Sequence, residues 1–379
     1  MRIVADENIP FVKEAFSSLG EITTLPGRSM TPGDLKNAEI LLVRSVTQVN
    51  EQLLKNTPVK YVASATIGFD HLDTEYLKKH DVPWSTSPGC NATAAAEYVI
   101  AALLYIAAAK GISLKGKTAG IIGCGNVGSR VKHRLAALEI NCIINDPPLQ
   151  KREPEQKFVG LEEALSTDII SLHVPLKRTG EHPTYHLLNQ QTLDKISSNA
   201  ILINTSRGSV IDNRSLLYYL HHKRFIAALD VWEGEPIVSP ELLDACILGT
   251  SHIAGYSLDG RVRGTGMIYH ACCQHLKITP TWQANDILNK VNNKSIDLRN
   301  SSGINASIQQ AVNHVYDIIA DDRALRKSIT LGGSLAGKAF DQLRRNYPLR
   351  REFGCYTAAI DAKQQDLGEV LLTLGFKVI

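Results

Sequence analysis

The sequence predicts an α/β protein built on parallel sheets. Three observations carry that prediction. Short apolar runs alternate with helical patterns through the first ninety residues, the alternation resumes at Lys117, and a glycine-rich turn follows the first apolar run of the second series. Strands and helices alternating in this way put helices on the faces of a parallel sheet.

In the first series, Arg2–Ala5, Glu39–Val43 and Val59–Ser64 read as short buried strands, with helices at Phe11–Leu19 and Asn50–Leu54. From Ala94 to Lys110 the chain is rich in Ala and Leu and has no Gly or Pro, which predicts a long buried helix stopped by Gly111. The second series places strands at Thr118–Ile122, Asn141–Ile144, Ile169–His173, Ala200–Asn204 and Ala227–Asp230, with helical spacing at Gly128–Leu138 and Leu161–Leu165. This is the doubly wound plan that binds dinucleotides. After Gly255–Gly266, a helix at Met267–Leu276 is expected to return to the first domain. Thr279–Lys294, with Pro280 and several Asn, reads as a linker, and the remainder as a small third domain. The expected divisions are 1–93 completed by about 256–280, then 94–255, then 281–379.

Composition excludes several classes. The 41 basic and 38 acidic residues nearly cancel, so nothing points to nucleic acid. The longest apolar stretch, Tyr98–Ala109, is shorter than the roughly 20 residues that span a bilayer. Met1–Glu7 turns acidic where a secretory signal would be apolar. Seven scattered cysteines without a C-x-x-C suit a reducing compartment, and the histidines show no ligand spacing, so a cytosolic enzyme without a metal is expected.

Gly123-Cys124-Gly125-Asn126-Val127-Gly128 is G-x-G-x-x-G. Alone the pattern is weak. Here an apolar strand precedes it, a helical pattern follows, and Asp146 closes a second strand 23 residues after Gly123. Gly123 permits the tight turn, Gly125 lets backbone approach a pyrophosphate, and Gly128 allows helix and sheet to pack closely. Asp146 suits the adenosine ribose hydroxyls and would repel a 2′-phosphate, which favours NAD over NADP. For Asp230, at the end of an apolar strand, residue type leaves a cofactor contact and a helix cap equally open.

Three segments further on carry chemistry. Asn204–Gly208 puts Arg207 at the end of a strand, Leu229–Pro236 offers Glu233 and Glu235, and Thr250–Tyr256 offers His252 among small residues. Oxidising a secondary alcohol needs a base for the hydroxyl proton, and histidine titrates in the working range. A carboxylate on the other imidazole nitrogen fixes the tautomer, and a guanidinium can hold a neighbouring carboxylate and polarise the carbonyl that forms. His252, a glutamate of the Glu233–Glu235 pair and Arg207 fit those roles.

These strings, with Ala65–Asp73 and Ser87–Asn91, resemble the signatures of the D-isomer-specific 2-hydroxyacid dehydrogenases. Their spacing agrees too: 28 residues from Arg207 to Glu235 and 17 from Glu235 to His252. The resemblance implies that the carboxylate is the Glu before Pro, hence Glu235. Asp6–Pro10, Val43–Thr47, His252–Gly260 and Tyr347–Phe353 are similar to members that act on a small phosphorylated 2-hydroxy acid. Those members carry an extra C-terminal dimerisation domain, so a homodimer is implied. The resemblance also implies a flavodoxin-like substrate domain, a Rossmann NAD-binding domain and a small α/β C-terminal domain, with substrate in the cleft between the first two.

By the same resemblance, Ser45, Thr66 and Tyr256 contact substrate. Asn126, Val127, Asp146, Val174, Thr205, Ser206, Arg207, Asp230 and Gly255 line the cofactor site. Arg44, with Ser45 and Thr47, offers a charge and two hydroxyls for a phosphate. Arg344, Arg345, Arg350 and Arg351 form a dimer-face cluster, a second phosphate contact or a solvated basic patch, the last expected for at least two of them. The rival readings are another dehydrogenase of the family, of phosphoglycerate or glyoxylate type, and a nucleotide-sensing corepressor on the same fold.

Overall fold

A computed structural model of the chain describes all residues except 223, 290–293 and 302. It divides into two compact units, Met1–Asn91 with Ser257–Asn292 and Ala92–Tyr256 with Asn293–Ile379.

The first unit holds a parallel sheet of β1 (Arg2–Asp6), β2 (Glu21–Leu25), β3 (Ile40–Val43), β4 (Tyr61–Ser64) and β5 (Trp84–Ser85), in the order β2-β1-β3-β4-β5. That is the flavodoxin-like order. Strands β3 and β4 are buried along their whole length, which is why they read as unbroken apolar runs. Alternate residues feed opposite faces: Ile3 and Ile40 join Phe16 in one cluster, Val4 and Leu41 join Leu77 in the other. Strand β2, Glu-Ile-Thr-Thr-Leu, lies at the sheet edge with none of its residues fully buried, so no apolar run announced it.

The return helix is longer than expected. It spans Leu258–Leu276, and Ser257 caps it by accepting a hydrogen bond from Gly260 N–H at 2.8 Å. Its glycines had read as loop, but they are packing residues. A Cβ on Gly264 would stand 3.2 Å from the Ala65 carbonyl oxygen, and one on Gly260 would stand 3.0 Å from Asn91 Cα. Within the expected linker, Ala284–Leu288 is helical, while 290–293 lie outside the described residues.

The second unit is built on a six-stranded parallel sheet: β6 (Thr118–Ile122), β7 (Asn141–Asn145), β8 (Ile169–Leu172), β9 (Ile201–Asn204), β10 (Ile226–Leu229) and β11 (Leu248–Gly249). The order β11-β10-β9-β8-β6-β7 reverses direction between β6 and β8, and ligands of such sheets bind beyond the strand ends at that point. The helix Ala92–Lys110 is long and apolar enough to cross a membrane by length and composition, yet it lies in the core with Tyr98, Val99 and Leu103 fully buried.

The expected third domain is not a separate body. Strands β12 (Lys294–Asp297), β13 (Tyr356–Ala359) and β14 (Lys377–Val378) form a small parallel sheet of their own, but the tail shares its core with the second unit. Ile308, Phe353 and Leu371 cluster with Val99, Leu103 and Leu135. Polar contacts fasten the same face: Arg134 Nε donates to the Leu374 carbonyl at 3.0 Å, and Glu97 accepts from Phe353 N–H at 2.9 Å. Burial, then the neighbouring Glu352 charge, pushes the Glu97 carboxyl well above the usual range. The solvated patch is corrected as well. Arg350 and Arg351 are each 6% exposed, Arg344 is half-buried, and only Arg345 is exposed.

Candidate active site

The glycine turn leaves β6 with Gly123 at φ +87°, and the helix Asn126–Ala137 follows. A Cβ on Gly128 would stand 2.0 Å from the Gly123 carbonyl oxygen, so helix and turn meet closely there. At Gly125 a Cβ would meet nothing within 4 Å. Open space over that residue, and a helix start that no side chain caps among the described residues, suit a pyrophosphate. The residues therefore fit a dinucleotide. Asp146 is both a turn residue and a lock on the glycine loop: it accepts from Leu149 N–H at 2.9 Å and from Cys124 N–H at 2.8 Å. Each carboxylate oxygen keeps acceptor capacity for a ribose hydroxyl.

Thr205, Ser206 and Arg207 occupy the turn after β9. Asn204 shapes it, because its side chain accepts from Ser206 N–H at 3.0 Å and from Ser206 Oγ at 2.7 Å, and donates to the Arg207 carbonyl at 3.0 Å. His173, beside Val174 at the end of β8, reaches Ser171 through Nε2 (2.8 Å) and Thr205 through Nδ1 (3.2 Å). Desolvation lowers its imidazole to about 3. Sequence reading missed both Asn204 and His173 as site residues. Their position at strand ends was the available signal.

Gly208 lets the Arg207 turn approach the glutamate loop. A Cβ there would lie 1.9 Å from the Trp232 carbonyl carbon. Gly208→Ala is accordingly expected to destabilise the protein by about 1–3 kcal/mol and to lower kcat/KM, as thermal unfolding and initial rates would show.

The loop after β10 separates the two glutamates. Glu233 points to His186 Nε2 at 2.7 Å, whereas Glu235 Oε1 is 2.5 Å from His252 Nδ1 and its Oε2 accepts from Trp232 N–H at 3.3 Å. Burial would raise the Glu235 carboxyl, but the His252 charge and hydrogen bond, with Arg344 adding to them, outweigh it and bring it down to about 2.

His252 itself has φ +57°, unusual for a residue with a side chain. Asp230 holds that conformation. Its backbone carbonyl accepts from His252 N–H at 2.7 Å, while its carboxylate accepts from Ile253 N–H (2.7 Å), Ala254 N–H (2.9 Å) and Thr250 Oγ1 (2.6 Å). At 1% exposure, Asp230 acts as a bracket for the histidine loop, a role outside both readings its residue type had left open. Arg350 of the tail braces the same loop by donating to the Ala254 carbonyl at 2.5 Å. Gly255 and Tyr256 complete it, with Tyr256 edge-on to Tyr347 at 5.8 Å.

In the first unit, Arg44 and Ser45 are half-buried at the end of β3. Thr47 does not share their surface. It is 2% exposed, and its hydroxyl lies where a Cβ on Gly27 would come within 2.7 Å, so the expected pair of hydroxyls reduces to Ser45. Thr66 Oγ1 is 2.8 Å from Ser64 Oγ, which in turn is 2.9 Å from His71 Nε2.

A profile of the D-isomer specific 2-hydroxyacid dehydrogenase NAD binding domain matches residues 103–254, and one of a domain of unknown function matches 287–375. The chain is 43% identical to erythronate-4-phosphate dehydrogenase of Cellvibrio japonicus over the full length of both, and 42% identical to that of Pseudomonas aeruginosa PAO1, also over both full lengths. The chain belongs to the erythronate-4-phosphate dehydrogenase family. Its cofactor is NAD, and its activity is dehydrogenation at a CH–OH carbon. Similar solved structures include D-lactate dehydrogenase from Aquifex aeolicus, complexed with NAD and lactic acid (TM-score 0.62, 24% identity, covering 73% of this chain and 96% of that one). Another is the cofactor-bound 3-phosphoglycerate dehydrogenase of Entamoeba histolytica (TM-score 0.63, 24% identity, 73% and 95%). These share the fold, and about a quarter of this family member has no counterpart in them.

Proposed function

We propose that the protein oxidises 4-phospho-D-erythronate to 2-oxo-3-hydroxy-4-phosphobutanoate, as a step of pyridoxal 5′-phosphate biosynthesis. The observation that carries this reading is the buttressed Glu235–His252 pair, 2.5 Å apart, in a chain that matches erythronate-4-phosphate dehydrogenases from end to end. With Nδ1 engaged by Glu235, His252 Nε2 is the nitrogen that takes the proton of the 2-hydroxyl, and Glu235 stabilises the imidazolium. Arg207 binds the substrate carboxylate and polarises the carbonyl that develops. The Gly123–Gly128 turn, Asp146 and the Thr205–Arg207 turn would hold NAD, which would supply the hydride acceptor. Ser45, Thr66 and Tyr256 are the proposed substrate contacts, with Arg44 next to Ser45 in sequence.

The same reading makes the protein a cytoplasmic homodimer joined through its tail. The strongly exposed Leu331, Leu335 and Leu349 support that assembly. Asp146→Ser is expected to narrow the preference for NAD over NADP by about tenfold or more, since it removes a charge facing the 2′-phosphate. The ratio of kcat/KM for the two cofactors measures this, and an unchanged ratio removes Asp146 from that role. The overall activity is tested by incubating the protein with NAD and 4-phospho-D-erythronate and identifying the product by mass spectrometry. NADH with the 2-oxo acid is the expected result, and neither product would overturn the proposal.

A further inference from the structure

The tail reaches the catalytic loops through the helix Gly333–Arg345. Its inner face is Gly337, Phe340 and Arg344, spaced by three and four residues and therefore aligned along one stripe. Gly337 lies on the segment after Glu235, where a Cβ would be 3.3 Å from Ile237 Cγ1 and 3.6 Å from Pro236 Cγ. Phe340, 1% exposed, packs into the cluster that contains Trp232 and Val238. Two turns beyond Gly337, the Arg344 guanidinium carbon stands 5.6 Å from the centre of the Tyr256 ring. Its Nε is enclosed and has no hydrogen-bond partner among the described residues.

Among the described residues the hydrogen bonds of Glu235 go to His252 Nδ1 and Trp232 N–H, and Arg344 adds a positive charge beside them. Arg344 thus brings a half-buried guanidinium to Tyr256, with its Nε–H unpaired among the described residues. Arg207 is assigned to the substrate carboxylate, and the phosphate is the other anionic end of the proposed substrate. About a quarter of the chain has no counterpart in the D-lactate dehydrogenase structure. A profile for a domain of unknown function, matching 287–375, covers the helix that carries Arg344.

We propose that Arg344, with the Tyr256 hydroxyl, binds the phosphate of the substrate, so that the tail sets specificity for a phosphorylated acid. The proposal rests on the activity argued above. A planar guanidinium offers parallel N–H donors that match two phosphate oxygens, which an unphosphorylated acid lacks at that end.

The test compares 4-phospho-D-erythronate with D-erythronate in wild type, Arg344→Met and the exposed control Lys338→Met on the same helix. Wild type and the control are expected to prefer the phosphorylated acid strongly. Arg344→Met is expected to raise KM for the phosphorylated acid by about 10- to 100-fold, and to lower kcat/KM for D-erythronate by a much smaller factor. Inorganic phosphate, competitive with the phosphorylated acid in wild type, is expected to lose potency by a similar factor. Undiminished discrimination in Arg344→Met overturns the proposal, as does an equal fall in kcat for both acids, which would mark Arg344 as a support for Glu235. Wild type that fails to prefer the phosphorylated acid overturns the functional reading itself. Should Arg344→Met not fold, Arg344→Lys keeps the charge without the planar fork and is expected to show a smaller rise in KM.

Discussion

Replacing His252 with Ala is expected to lower turnover by about 10²- to 10⁴-fold while NAD affinity stays near that of the wild type. The loss follows from removing the imidazole that Glu235 holds in the site, whereas the glycine turn and Asp146 lie on other loops. The backbone complicates the choice of variant. His252 sits at φ +57°, a conformation that Asn tolerates better than Ala. His252→Asn therefore gives a second variant with less backbone strain, and the same collapse of kcat is expected from it. Rapid-quench turnover together with fluorescence titration of NADH separates chemistry from binding. Near-native turnover in either variant would remove His252 from the role of base.

Glu235→Gln is expected to cost about 10²-fold or more in kcat with little change in the fold. A glutamine amide can donate to Nδ1 and so favour the tautomer whose Nε2 already carries a proton, which cannot accept another. The same substitution should alter the acid stability curve. Glu235 has its folded carboxyl lowered to about 2, below the ordinary value of about 4.3. Its pairing with His252 therefore stabilises the fold above about pH 4, and that contribution fades as pH falls from about 4 toward 2. Equilibrium unfolding across that range should show a shallower acid decline for Glu235→Gln. An identical decline would mean that the carboxylate is not held by the imidazole in the folded state.

The sheets were legible because parallel strands buried on both faces are written as unbroken apolar runs, as at Ile40–Val43 and Ile201–Asn204. Edge strands such as Glu21–Leu25 and the two-residue Leu248–Gly249 carry no such signal. The first turns of the return helix were hidden by Gly260, Gly264 and Gly266, which stand there to let the helix approach its neighbours. Glycine chosen for close packing looks the same in sequence as glycine chosen for a turn.

At the site, Arg207, His252, Asp146 and the Glu233–Glu235 pair could be named from type and position. The groups that hold them could not. Asn204, Asp230 and Arg350 act through hydrogen bonds to backbone atoms, and only the folded chain shows which backbone atoms those are. The choice between Glu233 and Glu235 is a matter of loop geometry that spacing alone left open. At least two of the four arginines of the tail read as surface charge for the same reason, since nothing near Arg344 or Arg350 in sequence announces the loops they meet.

The purified protein, with NAD in excess, is offered 4-phospho-D-erythronate, 3-phosphoglycerate and glycerate separately, and kcat/KM is taken from the rise in NADH absorbance. 4-Phospho-D-erythronate is expected to be preferred over both others by orders of magnitude. A higher kcat/KM for 3-phosphoglycerate or glycerate would contradict the assigned substrate while leaving the fold and the Glu235–His252 pair intact.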